Sequence, residues 1–329
     1  MTLANMPASF NPKPGRVLVT GAAGFLGSHL TDALLAIGHE VIGVDSLITG
    51  SKDNIAHLAS NNRFKFVQAD LCQPLPSDIA NAKFDRIFHL ASPASPVGYV
   101  KHQVVTLKIN SLATMNLLEL AERTGARIFM ASTSECYGDP LEHPQKETYW
   151  GHVNPNGMRS MYDEAKRFME AAAMAYHRER NVDTRLVRIF NTYGPRLALD
   201  DGRVVPAFIK QALTHQPMTV QGDGSQTRSL CYVDDEIRGF LLLMECPDYH
   251  LPVNIGNPDE VTVLHLAHEI REIAGSRSVI THLPLPPDDP KQRCPDIALA
   301  KKLLGWQPTI ARRQGLEKTV SFYRQKLGL

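Results

Sequence analysis

Through the first 190 residues, short apolar runs rich in β-branched side chains alternate with longer stretches of mixed polarity. The runs are RVLVT at 16–20, EVIGVD at 40–45, FKFVQAD at 64–70, RIFHLA at 86–91, RIFMAST at 127–133 and TRLVRIFN at 184–191. Runs that stay apolar at successive positions are strands covered on both faces, and strands that alternate with helices run parallel. Two of the intervening stretches, 101–124 and 160–180, repeat their apolar positions at helical spacing. The pattern predicts an α/β fold with a doubly wound parallel sheet.

Beyond Asn191 the alternation weakens. Turn-rich stretches appear (NTYGPR, GDGSQTRS, IGNPDE and PLPPDDPKQRCPD), with helical patterns returning at 204–214, 234–245, 262–274 and 296–304. The expected organisation is a loose tail at 1–15, a nucleotide-binding domain at 16–191, and a smaller C-terminal substrate-binding lobe at 192–329 that sends some segments back to the first domain. In such folds ligands bind in the crevice beyond the carboxyl ends of the strands.

Composition narrows the partners. A hydrophobic content of 43% is ample for a core, and 35 Lys and Arg against 34 Asp and Glu leave no charge excess to favour a nucleic acid or a membrane surface. No apolar stretch approaches the roughly 20 residues that span a bilayer, and the first 15 residues lack the basic and apolar regions of a signal peptide. Five scattered cysteines, Cys72, Cys136, Cys231, Cys246 and Cys294, never in CxxC spacing, argue for free thiols in a cytoplasmic protein and against disulfides or bound metal.

Candidate chemistry starts at VLVTGAAGFLGSHL, where Gly21, Gly24 and Gly27 end the first strand and open a helix. Glycines there allow a tight turn and let the backbone approach a pyrophosphate at the helix N-terminus, with Phe25 and Leu26 in the same turn. Asp45 follows 18 residues after Gly27, at the end of the second strand. A carboxylate at that spacing hydrogen-bonds an adenosine ribose and repels a 2′-phosphate, which favours NAD over NADP. Ser46, Thr49 and Gly50 continue this wall; Asp70 and Leu71 after the third strand, and Leu90 and Ser92 after the fourth, complete the expected cofactor set, although Asp70 also suits a capping role.

Tyr162 and Lys166, in SMYDEAKR, fall on one face of a helical pattern. A lysine ammonium beside a phenol favours the phenolate, and such a tyrosine can exchange a proton with a substrate hydroxyl while both residues border the cofactor.

Together, the TGxxGxxG fingerprint, the YxxxK pair and the Ser/Thr-rich strand end before it resemble the extended short-chain dehydrogenase/reductase family, of Rossmann fold. More narrowly, HLASPASP, STSECYGDP, YWGHVNP, RIFNTYGPR, DGRVV, GDGSQTRSLCYVDD and DDPKQRCPD are similar to motifs of its UDP-glucuronic acid decarboxylases, from about Arg16 to the end of the chain. The resemblance implies oxidation of UDP-glucuronate at C4, loss of CO₂ from the resulting β-keto acid, and re-reduction by the retained NADH to UDP-xylose. By the same resemblance Tyr162 is the C4 base, Lys166 holds the ribose, Thr133 lies close to the C4 oxygen, and Glu135 assists decarboxylation or protonation. Arg293 then takes the substrate carboxylate, and Asn191 and Arg228 hold the UDP group, with Tyr232 and Arg203 as further candidates. It also implies a homodimer in which the 101–124 and 160–180 helices form a four-helix bundle.

Three positions depart from the family pattern: Gln221 replaces a common tyrosine, and Cys136 and Cys294 stand where aliphatic and basic residues are frequent. Related activities fit less well. Nucleotide-sugar 4,6-dehydratases use an Asp-Glu pair where this chain has Ser134 and Glu135, and 4-epimerases usually need neither Glu135 nor Arg293. Release of a UDP-4-keto-pentose with NADH stays open at this level. A binding protein that senses NAD without chemistry would have lost Tyr162 or Lys166.

Overall fold

The computed structural model describes residues 6–284 and 292–329. The six apolar runs form parallel strands β1 (Arg16–Thr20), β2 (Glu40–Asp45), β3 (Phe64–Gln68), β4 (Arg86–His89), β5 (Arg127–Thr133) and β6 (Thr184–Ile189). A seventh parallel strand, Pro252–Ile255, joins at the edge, giving the spatial order seventh strand, β6, β5, β4, β1, β2, β3. The order reverses between β1 and β4, and the crevice at such a switch point is where doubly wound folds bind ligands.

The seventh strand was not legible in the sequence, because PVNI is short and carries a proline and a polar residue. Its Asn254 is instead a junction: the side chain accepts from the Tyr137 hydroxyl at 2.8 Å and donates to the carbonyls of Gln145 at 3.0 Å and Asp296 at 3.1 Å. Strands β3, β4 and β6 end two residues earlier than their apolar runs. The residues left over, such as Asp70, Leu90 and Asn191, turn out of the sheet and line the cleft described below.

The helices are α1 (Phe25–Ile37), α2 (Ser77–Ala80), α3 (Pro96–Lys101), α4 (Gln103–Thr124), α5 (Ser160–Arg180), α6 (Val204–Leu213), α7 (Val233–Glu245), α8 (Val263–Ile273), α9 (Ala298–Leu304) and α10 (Arg312–Leu327). The stretch expected to be helical from 101 is broken at His102, whose non-helical backbone separates α3 from α4. Helix α10, for which the sequence pattern gives no helix, buries a narrow stripe of Gly315, Leu316, Thr319, Val320 and Tyr323 among charged residues.

Successive side chains of a strand point to opposite faces, and two cores result. Val17, Val19 and Phe129 join the cluster under α1 and α6 to α10; Leu18, Ile128 and Met130 join the cluster under α4 and α5. The C-terminal part adds three two-stranded pairings, of which antiparallel Thr227–Ser229 with Glu260–Thr262 borders the site. Residues 6–15 form no helix or strand, yet Met6 and Phe10 pack half-buried against the larger core. Among the described residues no helix is long and apolar enough to cross a membrane.

Candidate active site

The carboxyl ends of the strands open into one continuous cleft of about 440 Å³. Gly21, Gly24 and Gly27 floor one end of it. Gly21 has φ +73°, and a Cβ on Gly27 would lie 2.0 Å from the Gly21 carbonyl oxygen, so α1 abuts the turn as only glycine permits. No side chain caps α1, and the first N–H groups of a helix have no partner within it; they are free to meet an anion. The Asp45 carboxylate accepts from the backbone N–H of Ala23 at 3.0 Å and of Leu47 at 2.8 Å, so it braces both walls of this end. Burial raises its pKa, and these two hydrogen bonds oppose the rise. Phe25, Leu26, Ser46, Thr49, Gly50, Leu71, Leu90 and Ser92 line the same end. Asp70 also lines it while its carboxylate caps the Cys72 N–H at 2.9 Å, so both roles expected for it are open to one residue.

Toward the middle, α5 presents Tyr162 and Lys166. Lys166 Nζ donates to the Ala131 carbonyl at 2.7 Å, and burial pushes its pKa down to about 8. Burial pushes the Tyr162 phenol well up, and a hydrogen bond with the Thr133 side chain opposes that. Lys166 is engaged by the Ala131 carbonyl, and burial opposes the lowering of the phenol expected from it. Tyr99, absent from the sequence-derived set, stacks on Tyr162 with ring centroids 4.9 Å apart and planes 13° apart, fixing the phenol ring from α3.

At the far end the short 3₁₀ turn Ser134–Tyr137 carries Glu135, and Thr133 Oγ1 accepts from the Glu135 N–H at 3.3 Å to start that turn. Glu135 Oε2 accepts from Arg293 Nη2 at 3.2 Å and from Arg159 Nη2. Burial alone would raise this carboxyl, but the cations Arg293, Arg159 and Arg228 outweigh it and hold it below its ordinary value. Arg293 is buried, donates Nη1 to the Ser134 carbonyl, and leaves its Nε without a hydrogen-bond partner. Residues 292–297, joined to Gln145 by an isolated bridge at Pro295, bring it into place; part of the DDPKQRCPD motif lies outside the described residues.

Asn191, Arg203 and Arg228 line the cleft, as does Gln221. Arg203 is paired with both oxygens of Asp201, Nη2 to Oδ2 at 2.8 Å, and Arg228 Nη1 donates to the Thr227 carbonyl at 2.8 Å. Tyr232 does not reach the cleft. It is buried edge-on against Tyr193 with centroids 5.6 Å apart, under α10, because its neighbour Cys231 pairs with Thr192 and turns the aromatic ring into the core.

Sequence reading also missed Arg159 and Asp163, whose one signal was nearness to Tyr162. Asp163 is buried with Oδ1 lacking a hydrogen-bond partner; burial, then the Glu135 charge, pushes its pKa up to about 7. The buried Cys136 thiol, raised by burial, is a packing group beside Ser132. The cleft thus joins an anion-accepting helix end, a phenol that can exchange a proton, and a carboxylate clasped by two arginines.

Residues 17–256 match the model of the NAD dependent epimerase/dehydratase family. The chain is 51% identical to UDP-glucuronic acid decarboxylase 1 of Arabidopsis thaliana, over 98% of this chain and 73% of that protein. It is 49% identical to UDP-glucuronic acid decarboxylase 1 of Danio rerio, over 95% of this chain and 73% of that protein. The structure aligns with a TM-score of 0.86 to that of UDP-glucuronic acid 4-epimerase from Bacillus cereus in complex with UDP-glucuronic acid and NAD, at 31% identity, over 94% of this chain and 99% of the other. The chain therefore belongs to the NAD dependent epimerase/dehydratase family and, within it, to the UDP-glucuronic acid decarboxylases.

Proposed function

We propose that this protein converts UDP-glucuronate to UDP-xylose and CO₂, using NAD that is regenerated in each cycle. The observation that carries the reading is the clasp of Arg159 and Arg293 on Glu135 beside Tyr162. The glycine turn and the uncapped end of α1 fit the pyrophosphate of NAD, and Asp45 fits its adenosine ribose. NAD, when bound, supplies reversible two-electron oxidation at C4 of the sugar.

On this reading the chain's own groups act as follows. Tyr162, held by Tyr99 and hydrogen-bonded to Thr133, takes the proton of the C4 hydroxyl and later gives one back. Lys166 would hold the nicotinamide ribose, and its positive charge would favour the phenolate of Tyr162. Arg293, a fixed planar cation with an unpartnered Nε, takes the substrate carboxylate and then steadies the enolate left when CO₂ departs. Glu135, kept ionised by its cations, orders the proton donor that reaches C5. Ser134 offers no carboxyl to protonate a leaving hydroxyl, so loss of water is disfavoured. Arg228, Arg203 and Asn191 hold the UDP group.

The exposed Val104, Leu107 and Leu112 of α4 and Phe168 of α5 support a homodimer through these helices, which sedimentation at micromolar concentration checks. Five cysteines without disulfide partners suit the reducing cytoplasm.

The direct test is release of CO₂ from UDP-glucuronate with NAD present. Glu135→Gln and Arg293→Ala each keep NAD binding and lose about a hundredfold or more in that rate. Near-normal rates in either variant contradict the role given to it.

A further inference from the structure

Three side chains that are scattered in the sequence, His143, Glu260 and Cys294, come together outside the cleft. Their ligating atoms all lie within 4.8 Å of one another, and the His143 Nε2 to Glu260 Oε2 distance is 2.9 Å. They belong to three separate segments: the loop after the 3₁₀ turn, the first residue of the Glu260–Thr262 strand, and the stretch that carries Arg293. His143 is exposed, Glu260 half-buried and Cys294 buried, its thiol donating to the Pro258 carbonyl at 3.5 Å.

The surroundings hold two of the three groups in place. Thr227 Oγ1 donates to Glu260 Oε1 at 2.6 Å, which leaves Oε2 turned toward His143. Cys294 is fixed by its N–H to Gln145 Oε1 at 2.9 Å and by its carbonyl, which accepts from the Gln145 N–H at 2.9 Å. Ordered partners behind the ligating atoms are what metal sites use to orient their ligands. Hard cations such as Mg²⁺ and Ca²⁺ take oxygen ligands, whereas a mixed nitrogen, sulfur and oxygen set suits zinc.

We propose that His143, Glu260 and Cys294 bind one zinc ion, with water in the fourth position, and so tie the Arg293 segment to the two neighbouring segments. Zinc bonds of 2.0–2.3 Å in a tetrahedron put ligand atoms about 3.3–3.8 Å apart, so the widest separation closes by up to about 1 Å while the His143–Glu260 pair, at 2.9 Å, opens by a few tenths of an ångström, movements open to a side chain on an exposed loop. The thiol gives up its proton to solvent on binding, and the imidazole nitrogen exchanges its hydrogen bond with Glu260 for the metal. A thiol must lose its proton to bind a metal, so binding weakens as pH falls. The sequence spacing of the cysteines argued against zinc, because two of the three ligands are not cysteines and the fold alone unites them. The trio lies outside the cleft, so the site does not depend on the proposed activity.

The test uses the full chain, stripped of metal by a chelator, titrated with ZnCl₂ by calorimetry and with CoCl₂ by absorbance. The expected result is one Zn²⁺ per chain at micromolar affinity or tighter, with proton release, and a near-ultraviolet thiolate-to-cobalt band. Cys294→Ser removes the band and weakens Zn²⁺ binding about a hundredfold, and His143→Ala, at an exposed position that spares the fold, weakens it about tenfold. Zinc binding no tighter than millimolar overturns the proposal, as does tight binding that His143→Ala leaves unchanged.

Discussion

The two ends of the cleft are built on different principles. The nucleotide end is made by backbone: a turn of glycines, the N-terminus of α1 and the Asp45 carboxylate that braces them, all within about thirty residues of chain. The sugar end is made by side chains from distant segments, Glu135 after β5, Arg159 and Tyr162 at the start of α5, Arg228 in a short strand and Arg293 near the C-terminus. The first can be shared across a family of different reactions, since it asks only for a cofactor. On the proposed function, the second decides which bond breaks.

Tyr162→Phe leaves the nucleotide end intact: CO₂ release falls by about a thousandfold while NAD affinity changes little. A parallel loss of NAD binding, measured by fluorescence titration, would mean that the two ends are not separable. Gly27→Ala attacks the other end. Its methyl group would meet the Gly21 backbone at 2.0 Å, so NAD affinity drops tenfold or more and the protein melts at lower temperature, about 1–3 kcal/mol weaker from overpacking.

A smaller effect is expected from Arg159→Gln. Removing one cation from the clasp lets burial raise the Glu135 carboxyl, so turnover drops about tenfold and the acid limb of the pH–rate profile moves to higher pH. An unmoved acid limb would show that Glu135 does not need its charge.

Asp163→Asn tests the same region through stability. A folded pKa raised from 3.8 to about 7 means that the native state binds the extra proton in this window. The stability contributed by Asp163 is therefore present at pH 4 and lost as pH rises through about 7. The asparagine variant stays neutral, so its melting temperature gains on that of the parent protein from pH 4 to pH 8, by a few degrees. A constant difference across that range contradicts the assignment.

The same contrast explains what was legible in the sequence. The strands and the glycine turn are local patterns, and β1, β2 and β5 fall where the apolar runs put them. Tyr162 and Lys166 could be paired because a helix fixes their spacing. Nothing local in the sequence shows that Arg159 reaches back to Glu135 or that Asp163 is buried. Tyr232 was misjudged for the opposite reason: its loop motif does reach the cleft through Arg228 and Leu230, but the pairing of Cys231 with Thr192 turns the tyrosine inward. Tyr99 was hidden because its value lies in a ring stacked on Tyr162 from another helix.

Proton NMR of the purified protein with UDP-glucuronate and NAD reads the reaction directly. UDP-xylose is the expected accumulating product, with no net NADH. UDP-galacturonate as the sole product, or UDP-4-keto-pentose with stoichiometric NADH, would contradict the proposed function.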